Sequence, residues 1–530
     1  MRTGKVGSDF IHREHSRVLR RPAPVIVPRR LYTLPAAVQI RCSLAALALT
    51  VATAGLYLVL AVRLAGELGL PLDDAWIHQT YARNLVRLGE WVYVPGTFSA
   101  GSTAPLWTIL LSLAYLLPGS PLAWTYALGL LFTLGTAWMG YRLSHLLFED
   151  GRIAWATAFA LLLEWHLAWS GVSGMEIPLY TFLVLWLIVA YLSYTPHDAR
   201  PVYWGLLGGL LMLTRPEGVL LVGLVALHIL LTRRQAALRP LLVMAGAWLL
   251  VVAPYLAFNW TVSGRILPNT FYAKQAEYAA VARQLSLGVR LARQALQPLV
   301  GAQMLLLPGL GWLVWQAARH PHKSVLARAA WGAALPLLWG LALITVYALR
   351  LPVTYQHGRY MMPLIPVIMV YGVGGTWRLV ERLPARAVRR AWALSFALLL
   401  VIFWGRGAWA YAEDTAIITC EAVETARWLA RNTPPDAVVA AHDIGAIGYF
   451  APRPLVDMAG LVSPEVISFI RDEAVLATYL AARGANYLVV APDWYPELVR
   501  QPGVQLVYQR ACPLTQRAGY ASTAVYRLAW

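Results

Sequence analysis

The chain consists largely of long apolar runs that alternate with short clusters of arginine. A helix needs about 20 apolar residues to cross the hydrocarbon core of a bilayer, and the runs near 43–63, 122–147 and 240–259 meet that requirement. Hydrophobic residues make up 59% of the chain and charged residues 13%, whereas charged residues form about a quarter of a soluble domain. The sequence therefore predicts an α-helical polytopic membrane protein.

We predict eleven transmembrane segments. They lie near 43–63, 122–147, 153–170, 174–194, 202–213, 218–232, 240–259, 298–318, 329–348, 361–376 and 391–408. The apolar stretch 105–118 is too short to cross comfortably. We expect it to form an interfacial or re-entrant helix within a long first external loop over residues 64–121.

Clusters of arginine set the predicted orientation, because cytoplasmic loops of membrane proteins are enriched in Lys and Arg. The clusters at 233–239, 319–328 and 378–390 are therefore assigned to the cytoplasm. The same assignment places a basic tail, residues 1–42, inside the cell, where we expect it to be disordered. The loops with polar content then share the outer face of the plasma membrane: 64–121, 171–176, 214–217, 260–297 and 349–360.

The net charge of +18 does not indicate a nucleic-acid protein. Residues 409–530 hold nine arginines against twelve acids, so the positive surplus lies among the apolar segments. Basic residues in that position orient a chain toward an anionic inner leaflet. We expect a lipid bilayer as a partner and no nucleic acid.

The texture of the chain changes after residue 408. Helix-like stretches at 416–432 and 466–483 accompany strand-like stretches at 437–441, 486–491, 504–510 and 522–528. Such alternation predicts a small α/β domain over residues 409–530 on the outer face, beyond a transmembrane module over residues 43–408. Cys420 and Cys512 both lie in this region. An outer compartment allows a disulfide between them, and two separate buried thiols are equally compatible with the sequence.

Two adjacent acids, Asp73 and Asp74, follow the first predicted segment and precede His78. One alternative is that one of them caps a helix over 75–88. One cap does not explain a second acid beside a histidine, so we interpret the pair as catalytic. Glu176 begins another predicted segment and forms a second acidic site; it is either functional or a favourable first-turn residue.

Cations with aromatic and amide neighbours occupy two other outer loops. Positive charge is disfavoured on this face, and an anionic lipid phosphate would require it. We predict donor or phosphate binding by Arg265, Lys274, His357, Arg359 and Tyr360. Further candidates for substrate contact are His78, Asn269, Tyr272, Tyr355 and Gln356. The alternative for these loops is anchoring at lipid headgroups.

Other polar motifs favour structural roles. Arg215 and Glu217 are interpreted as an ion pair at a helix break, and His442, Asp443 and Asp457 as residues that structure turns. The sequence contains no metal-ligand spacing and no nucleotide-binding loop, so no metal site is assigned. No cofactor is predicted with certainty, and a divalent cation stays open.

The ordered combination of several motifs resembles the GT-C superfamily of membrane glycosyltransferases. These motifs are the Asp73-Asp74 pair, Tyr81-Ala82-Arg83-Asn84, Pro105-Leu106-Trp107, Gly174-Met175-Glu176-Ile177-Pro178, Thr214-Arg215-Pro216-Glu217-Gly218, Leu267-Pro268-Asn269-Thr270-Phe271-Tyr272-Ala273-Lys274, His357-Gly358-Arg359-Tyr360, Asp443-Ile444-Gly445 and Asp457-Met458-Ala459-Gly460-Leu461. Within the superfamily, the chain is most similar to terminal arabinofuranosyltransferase-like enzymes, and more distantly to protein mannosyltransferases and lipid A aminoarabinose transferases.

The resemblance implies an inverting glycosyltransferase on the outer face. Its donor would be a sugar linked to polyprenyl phosphate, and its acceptor a cell-envelope glycan, a lipid or a protein. By position, Asp73 matches the family's catalytic base, with Asp74 beside it. One departure concerns residues 97–103, which lack the acid that related transferases carry before the Pro-Leu-Trp segment. This departure puts a metal site there in doubt.

Two other functions compete with this interpretation. A transporter or flippase of a lipid-linked sugar would carry charges near the bilayer midplane and often repeated halves, whereas the candidate charges here lie at outer segment ends. A non-catalytic assembly protein would not require the Asp73-Asp74 pair together with cation-bearing outer loops.

Overall fold

The computed structural model describes residues 34–193, 200–328, 331–517 and 519–529. Most of the predicted basic tail, residues 1–33, lies outside the described residues. The first helix begins at Ala36, so residues 36–42 belong to this helix and not to the tail. The earlier start follows from the mostly apolar composition of this stretch, which only Gln39 and Arg41 interrupt.

The transmembrane module is helical. Its helices are α1 (Ala36–Ala65), α2 (Asp73–Leu88), α3 (Pro105–Ser112), α4 (Pro121–Phe148), α5 (Gly151–Leu163), α6 (Trp165–Gly171), α7 (Ile177–Leu192), α8 (Pro201–Met212), α9 (Gly218–Arg233), α10 (Leu238–Ser263), α11 (Asn269–Glu277), α12 (Ala279–Gln284), α13 (Leu287–Leu296), α14 (Leu307–Arg319), α15 (Leu335–Arg350), α16 (Tyr355–Gly358, a distorted single turn), α17 (Ile365–Val380) and α18 (Arg386–Ile418).

Each of the eleven predicted segments overlaps helix in the described part of the chain, although 153–170 and 298–318 are interrupted. Within the described part of the chain, six helices are long and apolar enough to cross a membrane, or up to seven if the bent pair 287–299 and 302–319 forms one segment. That number treats 218–263 as one helix and leaves out the short apolar helices α5, α7 and α8. The total of eleven therefore stays a prediction.

Residues 64–121, the predicted first external loop, fold against the ends of the helices. Helix α3 is eight residues long and packs on α2, with Trp107 donating its indole N–H to the carbonyl of Gly174 at 2.9 Å. A short hairpin of β1 (Val92–Val94) and β2 (Thr97–Phe98) follows α2. These contacts hold α2 and its two acids at the junction of the loops.

The C-terminal region contains a five-stranded mixed sheet with helices around it. Its strands are β3 (Val439–Ala441), β4 (Leu455–Asp457), β5 (Tyr487–Val490), β6 (Val504–Gln509) and β7 (Ala524–Leu528), and its helices are α19 (Glu424–Asn432), α20 (Gly445–Phe450), α21 (Glu473–Ala482) and α22 (Pro513–Arg517). The strand order is β4-β3-β5-β7-β6. Strand β3 pairs in parallel with β4 and β5, and β7 pairs antiparallel with β5 and β6. Four of these strands lie at the predicted strand stretches.

The sheet is joined to the membrane helices in three ways. Helix α18 continues through a π-helical stretch, 419–423, into α19. Cys420 in this stretch forms a disulfide with Cys512, which resolves the alternative of two separate thiols. One continuous buried apolar cluster extends from the membrane helices to Val439 and Val489 of the sheet. The outer sheet therefore has fixed contacts with the loops below it.

Candidate active site

The five predicted outer loops meet around one cavity of about 320 Å³. Each loop contributes a charged side chain to its lining: Asp74, Glu176, Arg215, Lys274 and Arg359. The outer sheet region adds Leu461. The structure thus brings together charges that are separated by as many as 285 residues in the chain.

The lining of the cavity includes a cluster of two cations and one acid. Arg359 donates through Nη2 to Oδ2 of Asp74 at 2.5 Å, and Lys274 Nζ lies 3.6 Å from the same oxygen. Lys274 also donates to the Tyr360 hydroxyl at 3.0 Å. Burial by itself would raise the pKa of Asp74, but Lys274 and Arg359 outweigh it and hold that pKa well below its usual range. The cluster therefore carries a net charge of +1.

Arg359 has hydrogen-bonding capacity left over. Its side chain is 3% exposed, and among the described residues its Nε and Nη1 atoms have no hydrogen-bond partner. Burying such donors without a partner is costly. The arrangement is typical of a site that an oxyanion completes, because the guanidinium fork matches two phosphate oxygens at once.

A second charged network also lines the cavity and lies next to this cluster, because the Arg215 guanidinium is 5.3 Å from the centre of the Tyr360 ring. Arg215 donates through Nε to Glu176 at 2.7 Å and lies 3.3 Å from Glu217, which accepts from the Tyr347 hydroxyl at 2.5 Å. His78 Nε2 lies 3.4 Å from Glu176. Burial would raise the pKa of Glu176, but Arg215 and His78 lower it below its usual range. Glu176 is thus an ionised, buried acid.

An apolar wall connects these charges with the lipid-facing surface. Val219 and Leu220 of α9, Phe271 of α11 and Val346 of α15 line the cavity. Val219 is 44% exposed and Phe271 37% exposed. A hydrocarbon chain could lie along this wall while its polar head reaches the cations.

Unlike Asp74, Asp73 lies outside the lining of the cavity. Its carboxylate accepts the backbone N–H groups of Gly445 at 2.6 Å and Ala446 at 2.8 Å, at the start of α20. A Cβ on Gly445 would lie 2.0 Å from the backbone oxygen of Asp73, so only glycine allows this approach. The capping alternative for Asp73 and Asp74 is wrong: helix α2 begins at Asp73, its N-cap is Leu72, and no side chain caps it.

Asp73 has an acidic neighbour in the outer region. Burial and the nearby Asp443 carboxylate raise the pKa of Asp73 to about 7, against the effect of the two backbone N–H donors. The loss of solvent around its carboxylate, together with the charges of Asp74 and Glu277, raises the pKa of Asp443 against the effect of His442. A carboxyl with a pKa near neutrality suits proton transfer at neutral pH.

The neighbours of Asp443 serve structural contacts. Asp457 accepts the backbone N–H groups of Ala459, Leu461 and Val462, as expected for a residue that structures a turn. His442 bonds to the Tyr495 hydroxyl at 2.6 Å and lies 3.4 Å from Glu277. It thus links α11 to the outer sheet.

Several predicted contact residues do not line the cavity. His357 pairs with Asp414 at 2.7 Å, and Arg265 lies over the Tyr272 ring at 4.8 Å. Asn269 is fully buried and donates to the carbonyl of Leu461. The remaining residues of this group that lie outside the lining are Tyr272, Tyr355 and Gln356.

Three residues of the second network, Arg215, Glu217 and Tyr347, were not predicted to line a functional cavity. Arg215 and Glu217 do form the predicted pair, but they also line the cavity. Tyr347 lies in α15, within the predicted transmembrane segment 329–348. A tyrosine near the end of such a segment is typical of an interface anchor. Only its hydroxyl contact with Glu217 across 130 residues reveals its role.

Among the described residues, no group of three or more His, Cys, Asp or Glu side chains is placed to hold a metal ion. Within the same part of the chain, the acids at the cavity are paired with cations instead: Asp74 with Arg359 and Lys274, and Glu176 with Arg215.

The fold is shared with the solved structures of ArnT and of an archaeal oligosaccharyltransferase. ArnT from Cupriavidus metallidurans aligns with a TM-score of 0.58 at 16% identity, covering 91% of this chain and 97% of that one; a second ArnT structure, bound to undecaprenyl phosphate, gives 0.57. The archaeal oligosaccharyltransferase AglB from Archaeoglobus fulgidus, in complex with an inhibitory peptide and a dolichol-phosphate, gives 0.54 at 16% identity, covering 84% of this chain and 69% of that one.

These likenesses define a class of fold. This chain has the same fold as ArnT and AglB, which agrees with the predicted helical membrane fold. Residues 410–527 match a family described as a domain of unknown function (DUF8728). No curated protein matches this chain in sequence.

Proposed function

We propose that this protein is an inverting glycosyltransferase that takes a sugar from a polyprenyl-phosphate donor on the outer face of the plasma membrane. The observation that carries the proposal is Arg359, which is buried beside Lys274 with two unpartnered guanidinium nitrogens. A net charge of +1 in this cluster complements the single charge of a phosphodiester. The adjoining apolar wall would accept the prenyl chain, and the solved ArnT and AglB complexes hold lipid phosphates of this kind.

The two adjacent acids would divide the chemistry between them. Successive residues of a helix project about 100° apart, so Asp73 and Asp74 point in different directions. Inverting displacement needs a base on the side of the anomeric carbon opposite the leaving phosphate. Asp74 lies on the side of the cations, and Asp73 faces the outer region. Asp73 is therefore our candidate for the base that takes the proton of the acceptor hydroxyl.

The cations would stabilise the leaving group. As the bond between the anomeric carbon and the phosphate oxygen breaks, negative charge builds on the phosphate, and donors fixed around it lower the barrier. Arg359 and Lys274 would move part of their bonding from Asp74 to this phosphate. Asp74 keeps the two cations in position while the cavity has no donor in it.

The charged groups of the cavity indicate where the sugar and the acceptor would bind. The sugar would lie between the Asp74 cluster and the Glu176–Arg215 network, which offers acceptors and donors for its hydroxyl groups. The acceptor, a cell-envelope glycan, a lipid or a protein, would approach from the side of Asp443. A terminal arabinofuranosyl or mannosyl transfer remains part of this proposal on the resemblance of the motifs.

Turnover in detergent separates this proposal from a transporter. Detergent micelles have no two compartments, so only an enzyme that breaks the sugar–phosphate bond releases sugar-free polyprenyl phosphate. Purified full-length protein is mixed with short-chain polyprenyl-phosphate pentoses and hexoses and with a delipidated envelope fraction as acceptor. We expect release by the wild type and loss of release in Asp73→Asn. No release with any of these donors, in protein that binds the donors and transports them in vesicles, would support the transporter instead.

A further inference from the structure

The backbone just before Arg359 is strained. Three consecutive residues, Gln356, His357 and Gly358, have φ angles of 54°, 57° and 65°. This left-handed region is disfavoured for residues with a Cβ, and a run of three is exceptional. A Cβ on Gly358 would lie 2.8 Å from the Cβ of Gln297, so a side chain there would force one of the two residues to move. Such a segment persists only where its surroundings hold it.

His357 supplies the contact that holds the segment. Its Nε2 lies 2.7 Å from Oδ2 of Asp414, and the same oxygen accepts the indole N–H of Trp169 at 2.9 Å. The imidazole ring meets the edges of Trp165 and Trp169, each with a centroid distance of 5.4 Å. His357 is thus fixed by one carboxylate and two indoles from helices α6 and α18.

This contact lies on the far side of the segment from the cavity. His357 and Asp414 are absent from the lining, whereas Arg359, two residues on, belongs to it. The backbone links His357 to Arg359 within one turn, in which the N–H of Arg359 donates to the carbonyl of Gln356 at 3.2 Å. The orientation of Arg359 therefore depends on a segment whose conformation the His357 contact sets.

We propose that His357 and Asp414 are positioning residues that hold the segment 356–358 in its left-handed conformation and so keep Arg359 in register with the donor phosphate. The inference deepens the proposed function and rests on it. It replaces the expectation that His357 binds the phosphate itself. A hydrogen-bonded imidazole at this position acts through Arg359, and no chemical step passes through it.

A double-mutant cycle on lipid-phosphate binding tests this dependence. Full-length protein in nanodiscs binds radiolabelled decaprenyl phosphate, and the affinity is measured for the wild type, His357→Ala, Arg359→Ala and the double variant. Loss of a charged hydrogen bond weakens binding by about 10- to 100-fold. We therefore expect the affinity to fall by about this factor in Arg359→Ala, and by the same factor or less in His357→Ala. In the Arg359→Ala background, His357→Ala should cost no more than about twofold, the scatter of additive sites.

Two further variants keep the test decisive. His357→Gln retains an N–H that can donate to Asp414, and it should restore most of the affinity. Asp414→Asn, which keeps the shape of the side chain, should weaken binding in the wild-type background alone. His322→Ala, an exposed histidine in the 320–323 loop, is the control that should bind normally. Thermal unfolding of each variant confirms that it is folded.

The outcomes separate the two proposals. Equal losses from His357→Ala in both backgrounds would overturn the positioning role and leave the phosphate site intact. Normal binding in Arg359→Ala would overturn the phosphate site itself, and the positioning role with it. Failure of His357→Gln to restore affinity in a folded protein would also contradict the proposed contact with Asp414.

Discussion

Arg359 donates to Asp74 at 2.5 Å although 285 residues separate them in the chain. The contact joins the first and the last of the outer loops across the cavity. Asp74 neutralises part of the charge of Arg359, and the side chain of Asp74 is 32% exposed. An anion that enters the cavity therefore competes with Asp74 for the same guanidinium group.

The two acids should respond differently to neutralisation. Asp73→Asn should lower kcat by about 10²- to 10⁴-fold, the typical contribution of a positioned base, and leave the affinity for decaprenyl phosphate nearly unchanged. Asp74→Asn should tighten that affinity, because it removes the carboxylate that competes for Arg359 and Lys274. Parallel turnover and binding measurements distinguish the pair. Full turnover in Asp73→Asn would remove it from the role of base.

The pH dependence of turnover should report Asp73. Its pKa is raised to about 7 by burial and by Asp443, and only the deprotonated form can accept a proton. The rate under kcat/KM conditions should therefore fall as the pH drops through about 7. Asp443→Asn removes a negative neighbour and should move this limb to lower pH. An acid limb that stays in place in Asp443→Asn would show that another group controls it.

The two cations should differ in what can replace them. Arg359→Lys should raise the donor KM by about 10-fold or more, because an ammonium group cannot reproduce the guanidinium fork. Lys274→Arg should be milder, since a lysine acts as a point charge. Donor and acceptor concentrations are varied separately in steady state. A change confined to the acceptor dependence in Arg359→Lys would place the phosphate elsewhere.

Thiol labelling should establish whether residues 105–118 cross the membrane. In a Cys42→Ser background, Ser120→Cys should react with a membrane-impermeant reagent added outside, and Arg152→Cys should not. Both positions are exposed. The reverse pattern would show that this stretch crosses, and it would separate Glu176 from the other outer loops.

Much of the fold follows from the sequence because apolar run length fixes a membrane helix almost independently of its neighbours. The same holds for the shared face of the outer loops, which depends on the count of arginines between the runs. Asp74, Glu176, Lys274 and Arg359 meet in the cavity because each lies at the outer end of such a run. The sequence was therefore sufficient to predict that these four residues lie on the same face of the membrane.

The directions in which individual side chains point could not be predicted from the sequence. Asp73 and Asp74 are adjacent, and only the docking of α20 shows that Asp73 turns to the backbone of Gly445. His357 belongs to the same motif as Arg359, but its left-handed backbone directs it to Asp414 instead of the cavity. These orientations depend on tertiary contacts across more than 50 residues, which local patterns do not encode.

The most direct test of the phosphate site is an experimental structure of the full-length protein in nanodiscs with decaprenyl phosphate. We predict density for the phosphate within hydrogen-bonding distance of Arg359 and Lys274, with the prenyl chain along Val219, Phe271 and Val346. Arg359→Ala, prepared in the same way, should lack this density. A lipid phosphate bound away from these cations, with the cavity at Asp74 left open to solvent, would contradict the account.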